Sequence, residues 1–271
     1  MIRVGTLNLA SGRDAGGRSL DAPALAAALA GVDVDVLAVQ EVDVAQPRSH
    51  SVDQPAALAA ALGAVDWRFA ATVTGTPDPF RSWRPADPPL LRGPDDAQAT
   101  GPHYGVALFS RVPVRRWAVR SLGAGRARLP LQAPDPRTGR SRWWWFPDEP
   151  RIAVAAELQL AGGGGCTVVA THLSFAPHTA LRQLARLRLW ARSLPGPVLL
   201  AGDLNLVGPV PGRVFGAGRL VRAPSYPADR PRVQFDHVLG PASLTAHDPR
   251  ARQLPLGDHR LVEVTVAPAL G

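Results

Sequence analysis

Several apolar segments of the 271-residue chain end in side chains that can bind ions or transfer protons. The clearest is residues 198–201, which lead through Gly202 to Asp203 and Asn205. Because side chains alternate along an extended strand, Asp203 and Asn205 would share one face and act on one ligand. Asp and Asn are also favoured turn residues, so this segment alone leaves an ordinary strand-to-turn exit equally open.

The same arrangement recurs along the chain, and its members are mostly oxygen donors. Carboxylate and amide oxygens suit Mg²⁺ or Mn²⁺, whereas a zinc site would be expected to contain more His or Cys. A phosphoester bound to such an ion could be attacked by a water that a His or Asp deprotonates. The polar residues at the ends of apolar runs are Asn8, Glu41, Glu149, His172, Asp203, Asn205, Asp236, Asp258 and His259.

Strands and helices that would hold these residues alternate along the chain, which favours a layered α/β fold. The chain shows no linker that would divide it, so we expect one domain over residues 1–271. Three surface excursions rich in Pro and Gly are expected near residues 75–103, 123–147 and 208–232. Strands are predicted at 2–9, 34–39, 67–73, 104–111, 112–122, 151–158, 166–171, 198–205, 233–239 and 261–266, and helices at 23–30, 54–62 and 179–193.

Residues 143–146 read Trp-Trp-Trp-Phe, and neighbours on a strand point to opposite sides. Two interpretations stay open for this aromatic run. It could form a platform for a base, a sugar or a lipid tail, or it could be a hydrophobic flap that packs down on the sheet. The second interpretation is favoured, because large aromatic side chains are usually buried.

Composition limits the classes of function. Apolar residues make up 46% of the chain and charged residues 19%, which is typical of a globular protein. The net charge is +8, but every basic residue is arginine, which indicates a compositional bias of the genome. The positive charge is therefore weak evidence for nucleic-acid binding. The single Cys166 excludes an intramolecular disulfide and should be a buried thiol. No apolar run approaches the roughly 18 residues that span a bilayer, so we expect a soluble, cytoplasmic protein.

In order and spacing, these motifs resemble the endonuclease/exonuclease/phosphatase superfamily over nearly the whole chain, and in particular its compact bacterial metal-dependent hydrolases. Each motif is weak singly, and their common order carries the resemblance. The motifs are Thr6-Leu7-Asn8, Val39-Gln40-Glu41-Val42-Asp43, Gly105-Val106-Ala107-Leu108-Phe109-Ser110-Arg111, Glu149-Pro150-Arg151, Thr171-His172-Leu173, Gly202-Asp203-Leu204-Asn205, Phe235-Asp236-His237-Val238 and Gly257-Asp258-His259.

The resemblance implies a four-layer αββα sandwich, in which two mixed β-sheets face each other between helices and the site lies at one edge. It implies that Glu41 is the principal metal ligand, assisted by Asn8 and Asp258. Asp203 and Asn205 would orient the attacking water and the phosphate. His172 and His259 would bracket the phosphate, with Glu149 orienting His172 and Asp236 orienting His259. The phosphate would contact Asn8, Asn205, His172 and Arg111.

The sequence thus predicts a Mg²⁺- or Mn²⁺-dependent phosphoester hydrolase in which water attacks a metal-bound phosphate in line. Either His259 or Asp203 would take the proton. Nuclease-like cleavage of phosphodiesters is favoured over action on a small or lipid phosphoester, and a nucleic acid is a candidate partner; no protein partner is inferable. A catalytically silent binding module of the same fold is a further alternative. A serine hydrolase is disfavoured, since the chain has no Gly-X-Ser-X-Gly motif.

Overall fold

The computed structural model describes residues 1–80, 82–135, 138, 140–160 and 164–269. The strands are β1 (Ile2–Asn8), β2 (Val36–Val44), β3 (Asp66–Gly75), β4 (Trp83–Pro85), β5 (Leu91–Arg92), β6 (His103–Ser110), β7 (Val114–Gly123), β8 (Arg128–Pro134), β9 (Ser141–Pro147), β10 (Arg151–Gln159), β11 (Gly165–His172), β12 (Val198–Asp203), β13 (Gly218–Arg219), β14 (Asp236–Gly240), β15 (Leu244–Arg252) and β16 (Leu261–Pro268). The helices are α1 (Ala22–Ala28), α2 (Gln54–Leu62), α3 (Pro177–Ala191) and α4 (Val210–Phe215), with a 3-10 turn at Pro47–Ser49.

Two mixed sheets and one separate ribbon contain these strands. The first sheet has the order β15-β16-β1-β2-β6-β3-β4, with β5 also paired to β3. The second has the order β13-β14-β12-β11-β10-β7. Strands β8 and β9 pair only with each other in the described part of the chain. Within the sheets β1 runs parallel to β2 and β11 runs parallel to β12, whereas the other pairs are antiparallel.

Three apolar clusters arrange the molecule in four layers, which confirms the predicted αββα sandwich. The central cluster joins the facing sides of the two sheets, with Val4 and Leu108 from the first and Val168 and Leu199 from the second. A second cluster buries the outer side of the first sheet under α1 and α2. The third buries the outer side of the second sheet under α3 and α4. Strands covered on both faces read as continuous apolar runs, as residues 36–39 of β2 and 198–201 of β12 do.

The helices begin where the sequence supplies caps. Asp21 accepts a hydrogen bond from the Ala24 backbone N–H at the start of α1, and Asp53 accepts one from Ala56 at the start of α2. Proline follows in the first turn of each helix, where its missing N–H costs nothing. These local signals explain why α1 and α2 lie close to the predicted spans.

The three excursions contain more regular structure than expected. Strands β4 and β5 lie in the first, the β8–β9 ribbon forms most of the second, and α4 and β13 interrupt the third. Strand β15 was not predicted at all, because it is an edge strand with a bulge and a mostly exposed, polar sequence. Cys166 is buried, as expected.

Among the described residues, no helix combines the length and the apolar character that crossing a membrane requires. The cytoplasmic location stays a prediction.

Candidate active site

Parallel pairing brings the ends of β1, β11 and β12 and the middle of β2 to one edge of the sandwich. Asn8 at the end of β1 lies beside Gln40 of β2, and His172 at the end of β11 lies beside Asp203 of β12. Asp236, the first residue of β14, stands opposite Asp203 on the other side of β12. The strand registers therefore gather polar side chains that are far apart in sequence.

Asn8 connects the two sheets at this edge. Its side chain is 2% exposed, and its Nδ2 donates to Glu41 Oε1 at 3.1 Å and to Asp203 Oδ2 at 3.1 Å. Its Oδ1 accepts from the Ala10 backbone N–H at 3.0 Å. One amide thus holds two carboxylates from opposite sheets in a fixed relation.

Glu41 owes its position to an irregularity in β2. The pairing of β2 with β6 shifts register between Val39 and Val42, and Glu41 has φ +55°, in the left-handed region. A bulge places an extra residue on one strand and re-aims its side chain. Glu41 is consequently turned toward Asn8, and it stays partly exposed while its neighbours Gln40 and Val42 are buried.

Asp203, Asn205 and His172 form the second part of the site. The Asp203 Oδ1 accepts from the Asn205 backbone N–H at 3.0 Å, and Asn205 has φ +50°. The strand thus ends in a turn, and the two side chains do not share a face through strand alternation as we expected. They nevertheless meet at His172, whose Nε2 is 3.3 Å from Asn205 Nδ2 and 3.7 Å from Asp203 Oδ2.

His259 and Asp236 form a buried imidazole–carboxylate pair. His259 Nδ1 lies 2.7 Å from Asp236 Oδ2, and this hydrogen bond leaves Nε2 as the ring nitrogen available to a ligand. The Tyr226 ring packs against the imidazole with centroids 4.8 Å apart. His259 Nδ1 is also 3.9 Å from Asp203 Oδ2, so both parts of the site converge on this ring.

Burial and crowding of charge shift the pKa values of these groups. Burial raises the pKa of Glu41, and the charges of Asp258 and Glu149 raise it further. Burial and the Asp236 charge raise the pKa of Asp203 to about 6. Burial alone would lower the pKa of His259, but the charge and hydrogen bond of Asp236, with the Asp203 and Asp258 charges, raise it to about 10.

His172 shifts in the opposite direction. Burial and the nearby positive charges of Arg151 and His259 hold its pKa well below the usual value. The ring is therefore neutral near pH 7, and its Nε2 accepts a hydrogen bond from Asn205.

Two groups of residues offer ligands for a divalent ion. Asp203, Asp236 and His259 have ligand atoms within 4.8 Å of one another. An ion there would have to replace the short His259–Asp236 hydrogen bond. Glu41 accepts one side-chain hydrogen bond in the described part of the chain, from Asn8, and an amide oxygen such as Asn8 Oδ1 has a second lone pair. Hard oxygen donors at a partly exposed edge suit Mg²⁺, so the residues present fit the predicted ion best on the Glu41 side.

Asp258, the third predicted ligand, is exposed. Its charge acts on both Glu41 and His259, which places it at the same edge.

Arg111 does not belong to the site, contrary to our prediction that it binds the phosphate. Its backbone N–H pairs with Asp35 near the beginning of β2, at the opposite end of that strand from Glu41. Its guanidinium donates to Leu62 O, Asp33 Oδ1 and Val32 O at 2.6, 2.9 and 3.0 Å. Arg111 therefore ties loops together on the far edge of the sandwich.

Glu149 lies near the site without the contact that we predicted. Among the described residues, no hydrogen bond joins it to His172, and its closest recorded charged partner is Arg151, at 4.0 Å. Arg151 also lies 3.9 Å from Asp148, so this buried arginine attracts both carboxylates. Glu149 still contributes its charge to the Glu41 environment.

Sequence reasoning assigned no role to Arg151, Tyr104 or Tyr226. Arg151 and Tyr104 line a small cavity of about 10 Å³ with His172, and Arg151 follows Glu149 closely enough to have been suspected. Tyr226 comes from a loop rich in proline, and no local pattern marks it as a neighbour of His259.

Similarity to known proteins covers nearly the whole chain. The family model described as the Endonuclease/Exonuclease/phosphatase family matches residues 5–259. No significant match is found among curated protein sequences.

Solved structures with the same fold have low sequence identity. An endonuclease/exonuclease/phosphatase from Beutenbergia cavernae DSM 12333 superposes with a TM-score of 0.66 at 21% identity, over 99% of this chain and 72% of that chain. A mannosyl-6-phosphatase from Bacteroides thetaiotaomicron gives 0.58 at 14% identity, over 98% and 100%. The catalytic domain of human Nocturnin, with bound sulfate, gives 0.58 at 18% identity, over 99% and 93%.

Proposed function

Because the chain belongs to the endonuclease/exonuclease/phosphatase family, whose members are generally phosphoester hydrolases, we propose that it is a Mg²⁺- or Mn²⁺-dependent hydrolase of phosphodiesters. Its substrate class would be a nucleic acid or a smaller diester. One observation carries this proposal above the others. The Asn8 side chain hydrogen-bonds Glu41 and Asp203 together, so it joins an ion-binding group to a proton-handling group.

Glu41, Asn8 and Asp258 would hold the ion. When bound, Mg²⁺ would withdraw charge from a phosphate oxygen and favour attack at phosphorus. Because Asn8 links Glu41 to Asp203, an ion held by Glu41 and a water held by Asp203 would be separated by one amide.

The remaining residues position the water and move its proton. Asp203 is fixed by Asn8 and by the Asn205 backbone N–H, which suits it to orient the attacking water. Asp236 orients His259, and the raised pKa of this ring keeps a proton on both of its nitrogens near pH 7. Asp203, ionised above its pKa of about 6, would therefore take the proton that the water loses, and His259 Nε2–H would donate to the phosphate. His172 and Asn205 lie beside them as groups that contact the phosphate.

Action on a phosphomonoester is the second candidate. It is favoured by the structural likeness to a mannosyl-6-phosphatase, and the two functions share the ion and the proton-handling pair. The two functions differ in which residues would bind the leaving group of the substrate. The catalytically silent module is disfavoured, since Glu41, Asp203 and His259 meet at one edge.

Hydrolysis can be tested on a panel of substrates. Bis-p-nitrophenyl phosphate, p-nitrophenyl phosphate, plasmid DNA, oligonucleotides and sphingomyelin would be incubated with the protein in Mg²⁺, in Mn²⁺ and in EDTA. We expect turnover of the diester and of nucleic acid that requires the ion. Turnover of the monoester alone would favour the second candidate, and no turnover on any substrate would refute hydrolysis.

Substitutions test the roles. His259→Ala should abolish turnover and regain part of it with added imidazole, while His247→Ala, at an exposed histidine of β15, should leave it unchanged. Mg²⁺ titration should show binding lost in Glu41→Gln and kept in Asp236→Asn. The reverse pattern would place the ion at the Asp203, Asp236 and His259 group instead.

A further inference from the structure

The β8–β9 ribbon presents an unusual exposed surface beside the candidate active site. Trp143 and Trp145 are 67% and 61% exposed, although tryptophan is normally among the most buried side chains. Alternate residues of a strand point to the same side, and residues directly opposite on the paired strand share that side, so both tryptophans belong to one side of the ribbon. We name this side the outer face; its exposed residues are Arg128, Pro130, Gln132, Ser141, Trp143 and Trp145, and Pro147 at its base is buried.

The opposite side of the ribbon is braced against the body of the protein. Trp144 meets Phe80 edge-to-face with ring centroids 4.7 Å apart. At the base of the ribbon, Asp148 donates its backbone N–H to Ala127 O and accepts a hydrogen bond from Ser174 at 2.7 Å. The predicted flap that packs on the sheet is therefore wrong for Trp143 and Trp145, which the braced ribbon holds in solvent.

We propose that the outer face is a stacking surface for the bases of a single-stranded nucleic acid that enters the active site. This inference rests on the proposed function only in taking the bound strand to be the substrate. Bases stack on exposed aromatic rings while basic side chains follow the phosphates. Trp143 and Trp145 are two residues apart on one strand, so their Cα atoms are about 6.8 Å apart, a spacing that lets the two side chains serve successive bases.

Charge supports a polyanionic ligand. Residues 126–147 contain five arginines and one aspartate, and that aspartate, Asp135, pairs with Arg142 at 3.0 Å. In the described part of the chain, Arg128 makes no ion pair, and it lies on the outer face beyond Trp145. Arg128 is thus free to contact a phosphate between the aromatic rings and the site.

The position of the ribbon fits a strand that leads to the site. Trp145 precedes Glu149 by four residues, which limits their separation to about 14 Å. The charge of Glu149 in turn acts on Glu41. A strand stacked on Trp143 and Trp145 would therefore reach the ion-binding edge within a few nucleotides.

A membrane is disfavoured as the occupant of this surface. The ribbon turns between Pro134 and Ser141, where Asp135 and Arg140 are charged. The tryptophans lie further down the ribbon than this charged turn, so a ribbon that entered a bilayer tip first would have to bury the turn before the tryptophans. Neutral sugars would leave the unpaired arginine without a role.

Binding can be measured separately from hydrolysis. Fluorescence anisotropy would use a labelled phosphorothioate oligothymidylate of about 12 nucleotides, within the size of known single-strand sites. We expect Trp143→Ala and Trp145→Ala each to weaken binding about fivefold or more. Leu189→Ala, which removes a side chain 65% exposed on α3, should leave binding unchanged. Arg128→Gln should lower the dependence of log Kd on log salt by about 0.7.

Three results would overturn the proposal: tryptophan variants that bind like the unaltered chain, equal tryptophan-dependent binding of a duplex of the same length, or co-sedimentation with anionic vesicles together with no binding of the oligonucleotide. The outcomes also separate the two proposals. Tryptophan-dependent binding without hydrolysis of any phosphoester would refute only the proposed function. Hydrolysis of bis-p-nitrophenyl phosphate together with tryptophan-independent binding would refute only the stacking surface.

Discussion

Replacing Glu41 by glycine should leave the fold more stable than replacing it by alanine, although both changes remove the same carboxylate. The reason is the backbone at the bulge, where φ is +55°. A residue with a Cβ pays about 1–2 kcal/mol in this left-handed region. Glycine avoids that strain but loses about 0.5–1 kcal/mol more to chain entropy. The difference should favour Glu41→Gly by about 0.5–1 kcal/mol.

Urea unfolding of the two variants would measure this difference directly. In a chain of this size it corresponds to a Tm about 2 °C higher for Glu41→Gly than for Glu41→Ala. Ala38→Gly is the control, because Ala38 is fully buried in the regular part of the same strand. There glycine should destabilise the fold. If Glu41→Gly were instead less stable than Glu41→Ala, the left-handed conformation assigned to position 41 would be refuted.

Three further predictions concern residues away from the site. Arg111→Ala should lower the free energy of unfolding by about 1–2 kcal/mol and leave kcat unchanged, because its three hydrogen bonds lie on the far edge; a loss of kcat at full stability would restore its predicted phosphate contact. Burial raises the pKa of Cys166 to about 11 from 9.0, so iodoacetamide at pH 8 should label it only after denaturation. Stability should also fall between pH 9 and 11 as the unfolded thiol ionises first, and Cys166→Ala should make this fall smaller. The rest of the fall comes from Tyr104 and His259, whose pKa values are also raised in the folded protein. Leu199→Ala in the central cluster should cost about 2–5 kcal/mol in urea unfolding, and a cost below 1 kcal/mol would contradict tight packing between the sheets.

The strands of the sandwich could be predicted from the sequence because a strand that is buried on both faces is a continuous run of apolar residues. Strand β12, for example, is an uninterrupted apolar run that ends at Asp203. Candidate site residues at the strand ends could be identified for the same reason, since a polar residue directly after an apolar run is easy to recognise. The hydrogen bond between Asp236 and His259 joins two of these residues.

Other features depend on which parts of the chain meet in space. The motif that contains Arg111 gives the position of this residue in the sequence. It does not show that Arg111 contacts the beginning of β2 rather than the part near Glu41. The Arg151 charge near Glu149 replaced the expected contact with His172, because a buried arginine attracts carboxylates more strongly than a neutral ring does. The bulge at Glu41 also leaves no clear local signal, as glutamate is not a residue that favours a left-handed backbone.

The amide of Asn8 has a consequence for how the protein would lose activity on warming. Glu41 stands on one sheet and Asp203 on the other, and a chain with a single cysteine has no intramolecular disulfide to join the two sheets. A small slide of one sheet over the other, along the central apolar cluster, would separate the two carboxylates. The backbone hydrogen bonds within each sheet would remain. On heating, activity should therefore be lost at a lower temperature than secondary structure, because activity depends on the relative position of the two sheets.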